Sequence, residues 1–115
     1  MKRGTTIAAR GVRVPPRLEQ EIQKRIDELE HFYPDMIGCS IRVQGPGRRH
    51  RTGGPFEVHI DLRVPGGEPI LVNRQHEERL DLAIGQAFDV ADRRLEDFAR
   101  IQRGDVKLRS QSRPD

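Results

Sequence analysis

Tryptophan is absent from this chain of 115 residues, cysteine and tyrosine occur once each, and phenylalanine occurs four times. The single cysteine, Cys39, excludes both a disulfide framework and a cysteine-ligated metal within one chain. It falls on the apolar side of an alternating stretch, which is where a buried free thiol belongs. No stretch approaches the roughly 18 apolar residues that a membrane span needs. Residues 1–14 carry Lys2 and Arg3 but no apolar run that could form the core of a signal peptide. The expected setting is therefore the cytoplasm, with no membrane partner. Aromatic platforms for stacking single-stranded bases are also scarce, because Phe32, Phe56, Phe88 and Phe98 all fall on apolar stripes.

The length fits one domain, and the apolar residues are periodic enough to give it one modest core. A single domain over residues 1–104 is expected, followed by a basic tail, 105–115, that has no periodicity and is expected to be disordered. The formal net charge is only +3, so its distribution matters more than its sum. Lys2, Arg3, Arg10 and Arg13 stand in residues 1–13 without an acid, and residues 36–74 hold six bases against three acids. Residues 17–35 reverse this with three bases against six acids, as do residues 75–99 with three against seven. Cations thus lie on the termini, strands and loops, and acids on the helices, which suits a polyanionic partner approaching one side.

Hydrophobic spacing supplies the elements. Thr5 to Arg10 is short and β-tolerant, and Val14-Pro15-Pro16 stops it. Proline suits the first turn of a helix, where its missing N–H has no partner to lose. Leu18, Ile22, Ile26, Leu29 and Phe32 then recur every three or four residues, the period of an amphipathic helix, which ends at Tyr33-Pro34-Asp35. Ile37, Cys39, Ile41 and Val43 alternate with polar residues, as do Phe56, Val58, Ile60, Leu62 and Val64, so each reads as a strand with one face on a core. Pro65-Gly66-Gly67-Glu68 supplies a turn, Ile70-Leu71-Val72 a shorter strand, and residues 76–102 a long helix striped by Leu80, Ile84, Ala87, Ala91, Leu95 and Phe98. The expected fold is α+β, in the order β-α-β-β-β-α. It is a four-stranded, antiparallel-dominated sheet, a meander with both helices on one face.

Between the two best strands lies GPGRRHRTGGP, residues 45 to 55, with three arginines and a histidine and no apolar residue. His50 stands where a dinucleotide fingerprint needs its third glycine, and no Gly-Lys-Ser/Thr follows, so this is not a nucleotide loop. Either it is a solvated hairpin tip, or Arg48, Arg49, His50 and Arg51 reach the phosphates of a nucleic acid. His59 and Asp61 share the polar side of one strand and could make an acid–base or metal pair. His31, His50 and His76 lie on other elements without ligand spacing, however, so an ordinary solvated face or an RNA-touching surface with Arg42, Arg63 and Arg74 fits better. Ser40 and Cys39 have no adjacent base, leaving nucleophilic catalysis without support. The acids of the second helix, Glu77, Glu78, Asp81, Asp89, Asp92 and Glu96, read as a solvated face. Arg93, Arg100 and Arg103 make its far end basic, which also complements the helix dipole.

Three stretches together resemble a known family. Val14-Pro-Pro-Arg-Leu-Glu-Gln-Glu-Ile22, Leu62-Arg-Val-Pro-Gly-Gly-Glu68 and Asp81-Leu-Ala-Ile84 are similar, in order and spacing, to the ribosome hibernation-promoting factors, also called ribosomal subunit interface proteins. The resemblance covers residues from about 5 to 103, and the Pro-Gly-Gly-Glu turn is its most specific part. It implies a fold like that of a double-stranded-RNA-binding domain. It also implies a non-enzymatic protein that binds rRNA of the small ribosomal subunit in the mRNA and tRNA channel. Such a protein inhibits translation by occlusion in starvation or stationary phase. The chain is similar to the short members, which lack the C-terminal domain that pairs ribosomes. Two departures bear on the contacts: Val90 follows Asp89 where members commonly have a basic residue, although Arg93 keeps its place, and the loop around Arg48 is longer than usual.

The expected rRNA-binding residues are accordingly Arg48, Arg49 and Arg51 in the loop, Arg42, Arg63 and Arg74 on the sheet, and Arg93, Arg100 and Arg103 towards the end of the second helix. The expected partners are the small subunit and the whole ribosome, with no cofactor, metal, catalytic residue or small-molecule substrate. Three rivals are a general double-stranded-RNA-binding module, a protein-interaction domain that docks a basic partner on its acidic helices and, last, an enzyme that would depend on His59 and Asp61.

Overall fold

A computed structural model describes residues 5–45, 55–76 and 78–104. The expected element order is present: β1 (Thr5–Arg10), α1 (Pro16–Phe32), β2 (Gly38–Gln44), β3 (Phe56–Arg63), β4 (Ile70–His76) and α2 (Leu80–Arg103). The strands form one sheet in the order β1-β2-β3-β4. β2, β3 and β4 make the antiparallel meander. β1 departs from it by lying parallel to β2, with Thr5 opposite Cys39 and Arg10 opposite Gln44. The reason is connectivity: α1 carries the chain back along the sheet between them, so both strands run the same way and the sheet is mixed. β4 extends to His76 rather than stopping near Val72, because residues as polar as Asn73, Arg74 and Gln75 still pair in register with β3. Tail residues 105–115 and the tip of the basic loop lie outside the described residues.

Alternation places the core. Cys39, Ile41 and Val43 of β2, Val58, Ile60 and Leu62 of β3, and Val72 of β4 are all buried on the helix side. Ile22, Ile26 and Leu29 of α1 and Ala83, Ile84, Ala87, Phe88, Ala91 and Leu95 of α2 close over them. The alanines bring α2 close to the sheet, while Phe88, fully buried, fills the space between the helices and the strands. Two residues read as inward are not. Phe32 is 47% exposed at the last turn of α1, and Ile37 is 57% exposed just before β2 begins. The chain is reversing direction there, so helical and strand periods no longer set which way a side chain faces.

The Pro-Gly-Gly-Glu turn is built to receive the end of α2. Gly66 takes φ +77°, and a Cβ on Gly67 would come within 2.6 Å of the Phe98 ring. Phe98 packs edge-on against Tyr33 at 5.8 Å between ring centres, and Gln102 donates to the Pro65 carbonyl. At its other end, α2 starts later than expected, at Leu80, because His76 ends β4 and its Nδ1 accepts the backbone N–H groups of Glu78 and Arg79. That arrangement assigns the ring proton to Nε2. On the outer edge of β4, Arg94 donates to the Leu71 carbonyl, meeting one backbone group that an edge strand leaves open.

A salt-bridged seam joins the helices. The Arg25 guanidinium donates to Asp89 at 3.0 Å and Asp92 at 3.1 Å, has Glu28 at 3.7 Å, and lies 5.3 Å from the centre of the Phe88 ring. Asp89 and Asp92 are therefore not part of a purely solvated face. Desolvation of Arg25 opposes its charge, but the hydrogen bonds to Asp89 and Asp92 outweigh that and raise its pKa. Burial likewise pushes the Asp92 carboxyl above its usual range, against the pull of Arg25 and helped by Asp89 and Glu28. Arg25→Ala is expected to cost about 1–2 kcal/mol, the sum of a partly exposed multidentate pair and a cation–π contact, read from urea unfolding. Cys39 is buried, and desolvation, aided by nearby Asp61, pushes its thiol up to about 12. Native protein should therefore resist alkylation at pH 8 and react once unfolded. With the folded pKa raised, this thiol's contribution holds below the unfolded value of roughly 8.5 and is lost as pH climbs above it.

Candidate nucleic-acid interface

Topology sends many ends to one pole. β1, β2 and β4 finish there, β3 starts there, and both helices begin there, since each helix follows a strand that ended at that pole. The basic loop springs from the same place, between Gln44 and Phe56. Its root is fixed: the Gly45 N–H donates to the Arg10 carbonyl at 2.9 Å. A Cβ on Gly45 would lie 2.5 Å from both the Gly11 carbonyl oxygen and the Val12 Cβ. Glycine at that position lets the link between β1 and α1 press against the loop's base.

That packing assembles cations distant in sequence. Arg10 ends β1, Arg13 lies in the link, Arg17 sits in the first turn of α1, and Arg74 is on β4 opposite Val58. All four are exposed, and none makes an ion pair among the described residues. Both helices also turn their N-terminal ends, with their partial positive charge, towards this pole. Beside Arg74, a polar cleft of about 450 Å³ is lined by Glu57, His59, Asn73, Gln75 and Gln86. Amide and imidazole groups there can exchange hydrogen bonds with ribose hydroxyls and phosphate oxygens.

The residues expected from sequence divide among several places. Arg48, Arg49 and Arg51 lie outside the described residues, although the root of their loop stands at the basic pole. Arg42 and Arg63 are exposed on the outer sheet face, where Arg42 makes no ion pair among the described residues and Arg63 has Asp61 at 3.7 Å. Arg74 belongs to the sheet, as expected, but its register with Val58 puts it on the helix side, away from Arg42. Arg93 is exposed on α2, Arg100 is held by Asp97, and Arg103 ends the helix at the opposite pole. The six that are described therefore do not form one patch. Arg10, Arg13 and Arg17 are candidates that sequence reasoning did not single out. The signal for Arg10 and Arg13 is the acid-free run of bases in residues 1–13, which gains meaning only once β1 is placed beside β2, whereas Arg17 falls in the acid-rich segment 17–35 and joins them only through the fold.

His59 and Asp61 share the outer face, as their spacing implied, but do not pair with each other. His59 Nε2 faces Glu57 at 3.3 Å, while Asp61 Oδ2 faces Arg63. Asp61 Oδ1 is buried without a hydrogen-bond partner among the described residues. No group of three metal-ligating side chains occurs among the described residues.

Comparison with known proteins gives two kinds of match. The family model described as sigma 54 modulation protein / S30EA ribosomal protein matches residues 5–103. No curated protein sequence matches the chain. Among solved structures, the chain is similar to a ribosomal subunit interface protein from Coxiella burnetii, with a TM-score of 0.67 at 12% identity. The match covers 83% of this chain and 96% of that one. The N-terminal domain of Protein Y from Thermus thermophilus is similar too, with a TM-score of 0.61 at 16% identity, covering 81% of this chain and 94% of that one. At these identities the likeness is one of fold.

The grouping of cations predicts an order of effects. Changing Arg10, Arg13 and Arg17 together to alanine should lower the salt needed to elute the protein from heparin more than changing Arg42 and Arg63 does. Elution shifted equally by both sets would contradict a basic pole.

Proposed function

The chain belongs to the sigma 54 modulation protein / S30EA ribosomal protein family, and on that footing we propose that it binds rRNA of the small ribosomal subunit in the channel used by mRNA and tRNA. Its action there is steric and non-enzymatic: it fills a path that translation needs and idles the ribosome in the cytoplasm under starvation or stationary phase. The observation that carries this reading is the convergence of Arg10, Arg13, Arg17 and Arg74 on the root of the Arg48–Arg51 loop. Cations without an ion-pair partner among the described residues suit a surface that displaces counterions from a phosphate backbone.

Arginine forks fit phosphate oxygens in a bidentate manner. With few exposed aromatics, binding rests on phosphate, ribose and shape rather than on splayed bases.

Co-sedimentation with small subunits and whole ribosomes over a salt series tests this directly. Binding should weaken with salt, and replacing Arg48, Arg49 and Arg51 with alanine should flatten the log–log slope by about two or three units, near one for each phosphate no longer neutralised. The variant at Arg10, Arg13 and Arg17 should behave similarly. An equal preference for a plain RNA duplex would favour a general RNA-binding module. Binding untouched by either triple substitution would favour a protein partner on the acidic helices. Absence of co-sedimentation at low salt would end the ribosomal reading.

A further inference from the structure

Gly85 stands in the middle of α2, and nothing among the described residues requires a glycine there. The helix runs unbroken through it, and a Cβ at this position would meet no atom within 4 Å. Gly45 and Gly67 are different, because an added Cβ would collide with Val12 and Phe98. Only proline is less favourable than glycine in a helix interior. The fold thus carries a destabilising residue without an internal reason, and the space in front of it is open.

That space is a groove of about 340 Å³ between the first halves of the two helices, walled by Arg17, Leu18 and Glu21 of α1 and by Asp81 and Ile84 of α2. Residue pairing along the seam shows that the helices run the same way: Arg17 and Glu21 lie level with Asp81 and Gly85, and Arg25 level with Asp89 and Asp92. One end of the groove therefore opens at the basic pole, beside Arg13 and Arg17, and the other is closed by the Arg25 bridge. Two of its charged walls are already paired. Asp81 is paired with Arg79 at 2.8 Å, whose hydrogen bond holds its carboxyl below the usual range, and Arg25 is engaged by Asp89 and Asp92. Arg17 at the mouth and Glu21 on the wall are left.

We infer that this groove takes one sugar–phosphate strand of the RNA partner, with a ribose against the bare Gly85 backbone and a phosphate at Arg17. RNA is favoured over a protein segment because the groove opens at the basic pole beside Arg17 and is closed at its other end by the Arg25 bridge. The uncharged Gly85 backbone suits the sugar edge, and the cationic mouth suits the phosphate. The inference rests on the ribosomal reading above and assigns part of the contact to a residue with no charge at all.

Gly85→Ala separates this from a glycine of no consequence. The substitution should raise Tm by roughly 4–8 °C, the shift expected when a helix-interior glycine becomes alanine in a domain of this size. It should also weaken ribosome binding by about fivefold or more, as one methyl forces a close approach apart. Higher stability with unchanged affinity would overturn the groove, while loss of binding in the Arg10, Arg13 and Arg17 variant would still uphold the basic pole. A lower Tm would contradict the vacant space on which the inference stands. Wild-type protein that fails to bind ribosomes would remove the ribosomal reading and this inference with it.

A second measurement identifies the occupant. The natural thiol is buried, so Glu21→Cys offers one reactive site on the groove wall for a tethered iron chelate. Hydroxyl-radical cuts in rRNA by the bound protein are expected. Cuts confined to a ribosomal protein would assign the groove to a polypeptide and overturn the proposal.

Discussion

A strand that alternates can hide only one of its faces, and β2 and β3 alternate in phase across the middle of the sheet. Both helices are consequently forced onto the same side, next to each other. Their line of contact is a place where charged residues must approach the core. Arg25 resolves that approach. Its side chain is 17% exposed, so it keeps some water while its guanidinium serves two carboxylates and its plane lies near Phe88. A fully buried charge would carry a desolvation cost of several kcal/mol, and no charged side chain is fully buried among the described residues. The seam is close enough to the surface to be ionic and close enough to the core to be specific.

The same one-sidedness sets the charge map. With both helices running against β2 and β4, their N-terminal ends and the loop root share a pole, and the acid-rich seam begins further along. Arg17 and Arg25 are eight residues apart on α1, about 12 Å of helical rise, against a Debye length of about 8 Å at physiological ionic strength. Carboxylates around Arg25 are thus screened from the pole. Glu19, Glu21 and Asp81 lie nearer the pole, and of these Asp81 is paired with Arg79.

Periodicity made the element order legible, because the α1 and α2 stripes and the alternations of β2 and β3 are long enough to fix both type and facing. It failed where periods run out. Phe32 and Ile37 flank a chain reversal and face solvent, and Asn73, Arg74 and Gln75 carry β4 on through pairing that their composition does not announce. The basic loop was visible as a cluster because its arginines are contiguous. Arg10, Arg13 and Arg17 were visible only as scattered bases, since their convergence depends on the parallel register of β1 and on the packing of Gly45 against Val12. Arg74 shows the opposite error: belonging to a strand says nothing about which face a residue occupies until the register is known.

Total charge and available charge also point to different partners. By composition the helices are acidic and invite a basic partner. In the folded chain part of that acidity is already engaged on α2: Asp89 and Asp92 by Arg25, Asp81 by Arg79, and Asp97 by Arg100. Arg10, Arg13, Arg17 and Arg74 make no such pairs among the described residues. A partner responds to charge that is not already compensated, because breaking an internal pair to form an external one gains little. Positive charge at the pole is free to act on a polyanion, whereas Asp89 and Asp92 serve to hold the helices together. Pairing, more than the count of acids and bases, is therefore what supports the proposed RNA partner over a basic protein.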